Sequence, residues 1–177
     1  EARRRREKNR SDRPAQAAQD AADRVRQLAE QQRQIRSDVE RMPVAGDRNE
    51  RMRRIAERKE AMEQEVADLE RELDRAGREA SRDPEQREAG RAFEEAADWI
   101  RDSKLKEKVR YTRAVIQNRP DQTTRPLEID IEGDLERLRE LTEKAGSSVN
   151  ETDAGEASEA MDRTRDLVRG LESMDER

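Results

Sequence analysis

The sequence predicts an all-α protein: a long antiparallel, coiled-coil-like helical hairpin followed by a small helical bundle. Three observations carry that expectation. Apolar residues recur at alternating three- and four-residue spacings along most of the 177 residues, the period of one helix face. Charged residues make up 47 % and apolar residues 31 %, so each helix has a narrow apolar stripe and a wide charged face. Of 54 apolar residues 22 are Ala, so only 32 larger side chains remain and the core must be thin.

Residues 1–13, EARRRREKNRSDR, carry seven positive and three negative charges and no large apolar side chain; they read as a frayed helix start or a basic, flexible lead-in. From Pro14 the pattern changes. Ala18, Ala21, Val25, Leu28, Gln32, Ile35, Val39 and Met42 are spaced 3-4-3-4-3-4-3 on one helix that Pro43 stops. After the short linker PVAGD a second seam runs through Met52, Ile55, Lys59, Met62, Val66, Leu69, Leu73, Ala76 and Ala80. Two such arms, roughly 40 to 50 Å long at a rise of ~1.5 Å per residue, make a hairpin over residues 14–83. Ala22, Ala29 and Ala56 flank the seams and let helix axes approach closely. Asp20 with Arg24, Glu50 with Arg54 and Asp74 with Arg78 stand four apart on the outer faces, each pair worth a few tenths of a kcal/mol.

Residues 84–177 are expected to form a bundle of three or four helices. Asp83-Pro84-Glu85-Gln86 has the composition of a helix start, with Asp83 capping and Gln86 completing a capping box. Ala89, Ala92, Phe93, Ala96 and Ile100 follow, and Leu105, Val109, Thr112 and Ile116 continue beyond a break at Asp102-Ser103. Leu127, Ile131, Leu135, Leu138 and Leu141 mark a further helix that Gly146 is expected to end in a left-handed conformation. After the polar linker SSVNETD a last helix carries Ala157, Ala160, Thr164, Leu167, Leu171 and Met174. Leu127, Ile129 and Ile131 alternate like a strand, but they lead into a helical pattern.

The chain has no Cys and no His. Disulfide scaffolds, zinc ribbons, thiol nucleophiles, Ser-His-Asp triads and His-ligated metal or haem centres therefore lack a required group. The seven glycines stand singly and no G-x-x-x-x-G-K-[ST] loop occurs. Carboxylates are so abundant that a pair of them points to no particular chemistry, and a helical di-metal site would want Glu-x-x-His pairs. The expectation is a non-catalytic protein with no cofactor, metal or catalytic residue. No apolar run approaches the ~18 residues that a membrane span requires. The chain begins Glu1-Ala2 without Met, which suggests a piece of something longer, and missing cysteines suit a cytoplasmic or a periplasmic location.

The candidate helix-helix interface comprises Val25, Leu28, Gln32, Ile35, Val39, Ile55, Lys59, Met62, Val66, Leu69 and Leu73. Gln32 and Lys59 are polar residues at seam positions, where they commonly set register at a cost in stability. If the hairpin closes about Val44, facing positions sum to roughly 90, so the two can meet; equally, Lys59 can extend its stem out to solvent.

A candidate surface for an anionic partner comprises Arg3, Arg4, Arg5 and Arg6, continuing to Arg10, together with Lys104, Lys106, Lys108 and Arg110, continuing to Arg113. Between Trp99 and Arg119 seven basic residues meet two acidic ones and are interleaved with Trp99 and Tyr111, a composition suited to single-stranded nucleic acid. A competing expectation is internal: thirteen acidic and five basic residues lie between Leu127 and Asp166, so the basic helix can pack on the acidic one, and Phe93, Trp99 and Tyr111 can be buried. The internal pairing is the favoured reading, which makes nucleic acid the lesser expectation. A protein partner or a second copy of the chain is the leading one.

The phrases LAEQQRQIRSDVERM (Leu28 to Met42), AFEEAADWIRDSKLKEKVRYTRAVI (Ala92 to Ile116) and DLERLREL (Asp134 to Leu141) resemble parts of a bacterial family of large membrane-anchored proteins of unknown function. Its members carry a membrane region followed by a long Gln/Arg/Glu-rich helical segment. The resemblance spans about half of the chain and implies an extracytoplasmic helical region in the cell envelope with no assigned activity. A span placed immediately before Arg3 to Arg6 would instead favour the cytoplasmic side.

Overall fold

Apolar side chains three and four residues apart give each helix one stripe to bury, and in the computed structural model these stripes close on one another. The structure describes the backbone of residues 2–41, 47–118 and 124–175, and the side chains of residues 13–41, 47–118, 124–150 and 161. Among the described residues five helices follow in order: α1 (Ala2–Glu40), α2 (Arg48–Ala80), α3 (Arg87–Asp102), α4 (Leu105–Asn118) and α5 (Thr124–Asp175). The protein is all-α, with the long hairpin α1–α2 and further helices packed against it.

Helices α3 and α4 follow one another along α2 and α5 and act as one broken rod. Helix α1 lies beside α2 and α5, so the four rods form a ring in which α2 and α5 are diagonal. One continuous apolar cluster fills the ring. It includes Val25, Leu28 and Ile35 of α1, Met62, Val66 and Leu69 of α2, Phe93 and Ile100 of α3, Val109 and Ile116 of α4, and Ile131, Leu135 and Leu138 of α5. Each such large side chain, fully buried, contributes about 1.5–3 kcal/mol. Ala22, Ala29 and Ala56 are buried as well. The stripe that a two-helix hairpin would leave half covered is thus covered by α5 and by the broken rod.

The break falls at Ser103-Lys104. Ser103 N–H donates to the Trp99 carbonyl at 3.0 Å and Lys104 N–H to that of Arg101 at 3.1 Å. Lys104 takes a left-handed φ of 56°, and its own carbonyl accepts the Lys108 N–H at 2.9 Å, so α4 begins at once.

Other local expectations are corrected. Gly146 does not stop a helix: α5 is continuous from Thr124 to Asp175. A terminal glycine signal competes here with burial, because Ala145 and Val149 carry the stripe across that position, and Ser147 and Ser148 bond back to the carbonyls of Glu143 and Lys144. Asp83 does not cap α3. Its Oδ1 accepts the Glu85 N–H at 3.2 Å in a local Asx turn, and the helix starts four residues further on, after Gln86. Helix α1 sets out at Ala2 and runs through Pro14, which removes one intrahelical hydrogen bond without ending the helix. The pairs Glu50–Arg54 at 3.4 Å and Asp74–Arg78 at 3.6 Å form as expected, whereas Arg24 reaches across to Glu72 on α2.

Where α2 meets α3 the backbones come very close. A Cβ placed on Gly90 would stand 2.9 Å from the Ser81 nitrogen and 3.1 Å from the Gly77 carbonyl oxygen, both main-chain atoms that cannot swing aside. Gly90→Ala is expected to force the helices apart and cost about 1–3 kcal/mol, read as a lower urea midpoint. An unchanged midpoint would mean that this crossing is loose.

Candidate functional site

Polar groups are drawn into the centre of the ring at one level. Seam spacing puts Gln32 on the inner face of α1 and Lys59 on that of α2, and both are fully buried. They meet, as one of the two readings of the sequence allows: Lys59 Nζ donates to Gln32 Oε1 at 3.0 Å. Their numbers sum to 91, close to the roughly 90 expected for the hairpin.

A third member comes from α5. Glu128 is fully buried and its Oε2 accepts from Lys59 Nζ at 2.5 Å and from Gln32 Nε2 at 2.6 Å. Gln32 Nε2 also lies 3.1 Å from the Glu128 carbonyl oxygen. Because α2 and α5 are diagonal, the long Lys59 stem is what spans the core. The other carboxylate oxygen, Glu128 Oε1, is buried without a hydrogen-bond partner. Burial pushes the Lys59 ammonium below its ordinary range, opposed by the charge of Glu128 and by its hydrogen bond. Sequence reasoning placed Leu127 on the inner face of α5. The structure turns Leu127 half out and puts Glu128 in the stripe formed by Thr124, Ile131 and Leu135. Counting back three from Ile131 gives that position.

The remaining interface candidates, Val25, Leu28, Ile35, Ile55, Met62, Val66, Leu69 and Leu73, are all buried, and Val39 is half-buried against the core. They face α5 and the broken rod as well as each other.

The basic stretch is paired, but mostly with α2 and not with the acidic α5. Lys106 meets Glu70 at 2.7 Å, Arg110 meets Glu63 at 2.7 Å, and Arg113 lies 3.6 Å from both Glu60 and Glu63. Arg101 bonds Asp98, Asp74 and Glu70. The exception is Lys108, 2.6 Å from Asp134 and 2.8 Å from Asp130. Its partial burial pulls its pKa down, yet the hydrogen bonds to Asp130 and Asp134 outweigh that and raise it. Desolvation raises Asp134, against the pull of Lys108. Lys104 stands exposed at the break. The side chains of Arg3, Arg4, Arg5 and Arg6 lie outside the described residues.

Of the three aromatics, Phe93 is fully buried and Trp99 partly so, with its indole N–H donating to the Asp134 carbonyl at 3.1 Å. Tyr111 departs from expectation and is 60 % exposed, since Val109 and Thr112 take the inner positions of that turn. Among the described residues no three carboxylates converge as a metal site, and no helix is long and apolar enough to cross a membrane.

No family model, no curated protein and no solved structure matches this chain.

Proposed function

We propose that the chain is a non-catalytic structural module, a helical rod that acts as a spacer or docking surface and associates with itself or with another protein. The observation that carries the reading is how its charges are spent. Side chains from different helices lock onto one another around the ring: Arg58 with Asp38 at 2.6 Å between α2 and α1, Arg110 with Glu63 between α4 and α2, Lys144 with Glu95 at 2.7 Å between α5 and α3, and Arg36 with Glu132 between α1 and α5. Singly such surface pairs are worth ~0–1 kcal/mol. Together they hold four rods side by side over a continuous core, which suits a part that transmits position.

The rival reading is an anionic partner bound through Arg3–Arg10 and Lys104–Arg113. It requires the α4 cations to leave the carboxylates of α2, so affinity would fall steeply with salt. The purified chain is expected to leave a labelled single-stranded oligonucleotide unshifted at low salt. A salt-sensitive shift would overturn the module reading in favour of the rival. Light scattering at tens of micromolar addresses self-association: a mass above the 20.6 kDa of one chain supports it, and a strictly monomeric mass removes it while leaving the spacer.

A further inference from the structure

The buried triad is the only level of the ring, among the described residues, at which charged groups of two helices meet with no exposure at all. Elsewhere the inner stripes of α1, α2 and α5 are mainly apolar, and the polar contacts of α5 with the broken rod, Lys108–Asp134 and the Trp99 indole on the Asp134 carbonyl, lie at its partly exposed edge. Helices α1, α2 and α5 all repeat inner positions every seven residues: Val25, Gln32 and Val39; Ile55, Met62 and Leu69 beside Lys59 and Val66; Glu128, Leu135 and Thr142, and of these only Gln32, Lys59, Glu128 and Thr142 are polar. Sliding α5 by seven residues would therefore lay one apolar stripe on another with little loss. Of the pairs along the α1–α5 edge, Arg26–Glu143 joins exposed side chains 3.9 Å apart and Arg36–Glu132 joins half-buried ones at the rim; both keep contact with solvent and resist such a slide less than a fully desolvated pair would.

At the level of Gln32 the slide is not neutral. Moved one way, Leu135 would face Gln32 and Lys59 and leave a buried ammonium without its carboxylate. Moved the other way, Glu128 would lie against Val25 and Val66. Either places an unpaired charge in the core, which is severely unfavourable. The triad also does not look built for stability, since Glu128 Oε1 is left without a partner where an apolar side chain would have none to satisfy.

We propose that Gln32, Lys59 and Glu128 form a register key: they select the one sliding position of α5 against the α1–α2 hairpin, at the expense of stability. This does not depend on the spacer reading.

The geometry supplies a reporter. A Cβ at Gly146 would lie 3.8 Å from the Ala18 Cβ, the separation of a relaxed disulfide, and the chain has no cysteine of its own. In the full chain the pair A18C with G146C reports the native register, while A18C with D153C and A18C with R139C report α5 displaced one heptad in either direction. With the triad intact, only the first pair is expected to close within one chain. In the apolar triple variant Q32L/K59M/E128L, the native cross-link should fall and one of the displaced pairs should appear. Moving the carboxylate with E128L/L135E, while Gln32 and Lys59 stay, should transfer the cross-link from position 146 to position 153. A triple variant that keeps the full native cross-link with no displaced product overturns the proposal. So does a moved-carboxylate variant that still closes at 146 or does not fold.

Discussion

Lys59→Met is expected to cost the bundle about 3 to 5 kcal/mol, the usual penalty for removing one member of a buried ion pair. The methionine fits the volume, but it leaves the Glu128 carboxylate in the core with Gln32 Nε2 as its sole remaining partner, and Gln32 Oε1 without its donor. Equilibrium urea unfolding should show a midpoint far below that of the parent chain with a similar slope, since the surface exposed on unfolding is unchanged. Replacing all three polar residues by apolar ones should bring the midpoint back to that of the parent or above it, because no charge then remains to be desolvated. If Lys59→Met were within 1 kcal/mol of the parent, the carboxylate would have found water or a new partner, and the triad could not discriminate between registers.

Phe93→Ala is expected to cost a similar amount, about 3–5 kcal/mol. Phe93 is the largest apolar side chain fully buried in the ring, and α3 faces both α2 and α5, so its loss opens a cavity at the meeting of three helices. Few neighbours can move in to fill it: the other inner residues of that helix are Ala89, Gly90, Ala92, Ala96, Ala97 and Ile100, and glycine and alanine have no reach. Thermal or urea unfolding of the variant measures the effect. A loss below 1 kcal/mol would show that α3 repacks freely and that the core is fluid there.

Both effects concern residues the sequence made visible to different degrees. Phe93 stood out at once as one of three aromatics on a helical stripe. Lys59 and Gln32 were visible as polar interruptions of apolar seams, and their meeting followed from the hairpin register. Glu128 was not visible, because it is one of 44 acidic residues and its neighbour Leu127 looked like the better candidate for the inside. A carboxylate can take an inner position only when a cation from another helix is waiting, and the diagonal reach of Lys59 exists only once four rods are assembled. Similar reasons explain Gly146, whose tendency to end a helix lost to the buried neighbours Ala145 and Val149, and Asp83, which served a local turn instead of a helix start.

By itself the sequence determined the helical class, the two long arms with their seams, the break near Asp102-Ser103, and the exclusion of chemistry that needs Cys or His. Those follow from periodicity and residue type, which act within a few residues of each other along the chain. Which helix lies beside which, and which carboxylate each cation finds, only the tertiary structure decided. Lys106, Arg110 and Arg113 turned to α2 and not to the more acidic α5, since ion pairing depends on distances of a few ångströms. Apolar burial, which brings the rods together, has no direction of its own.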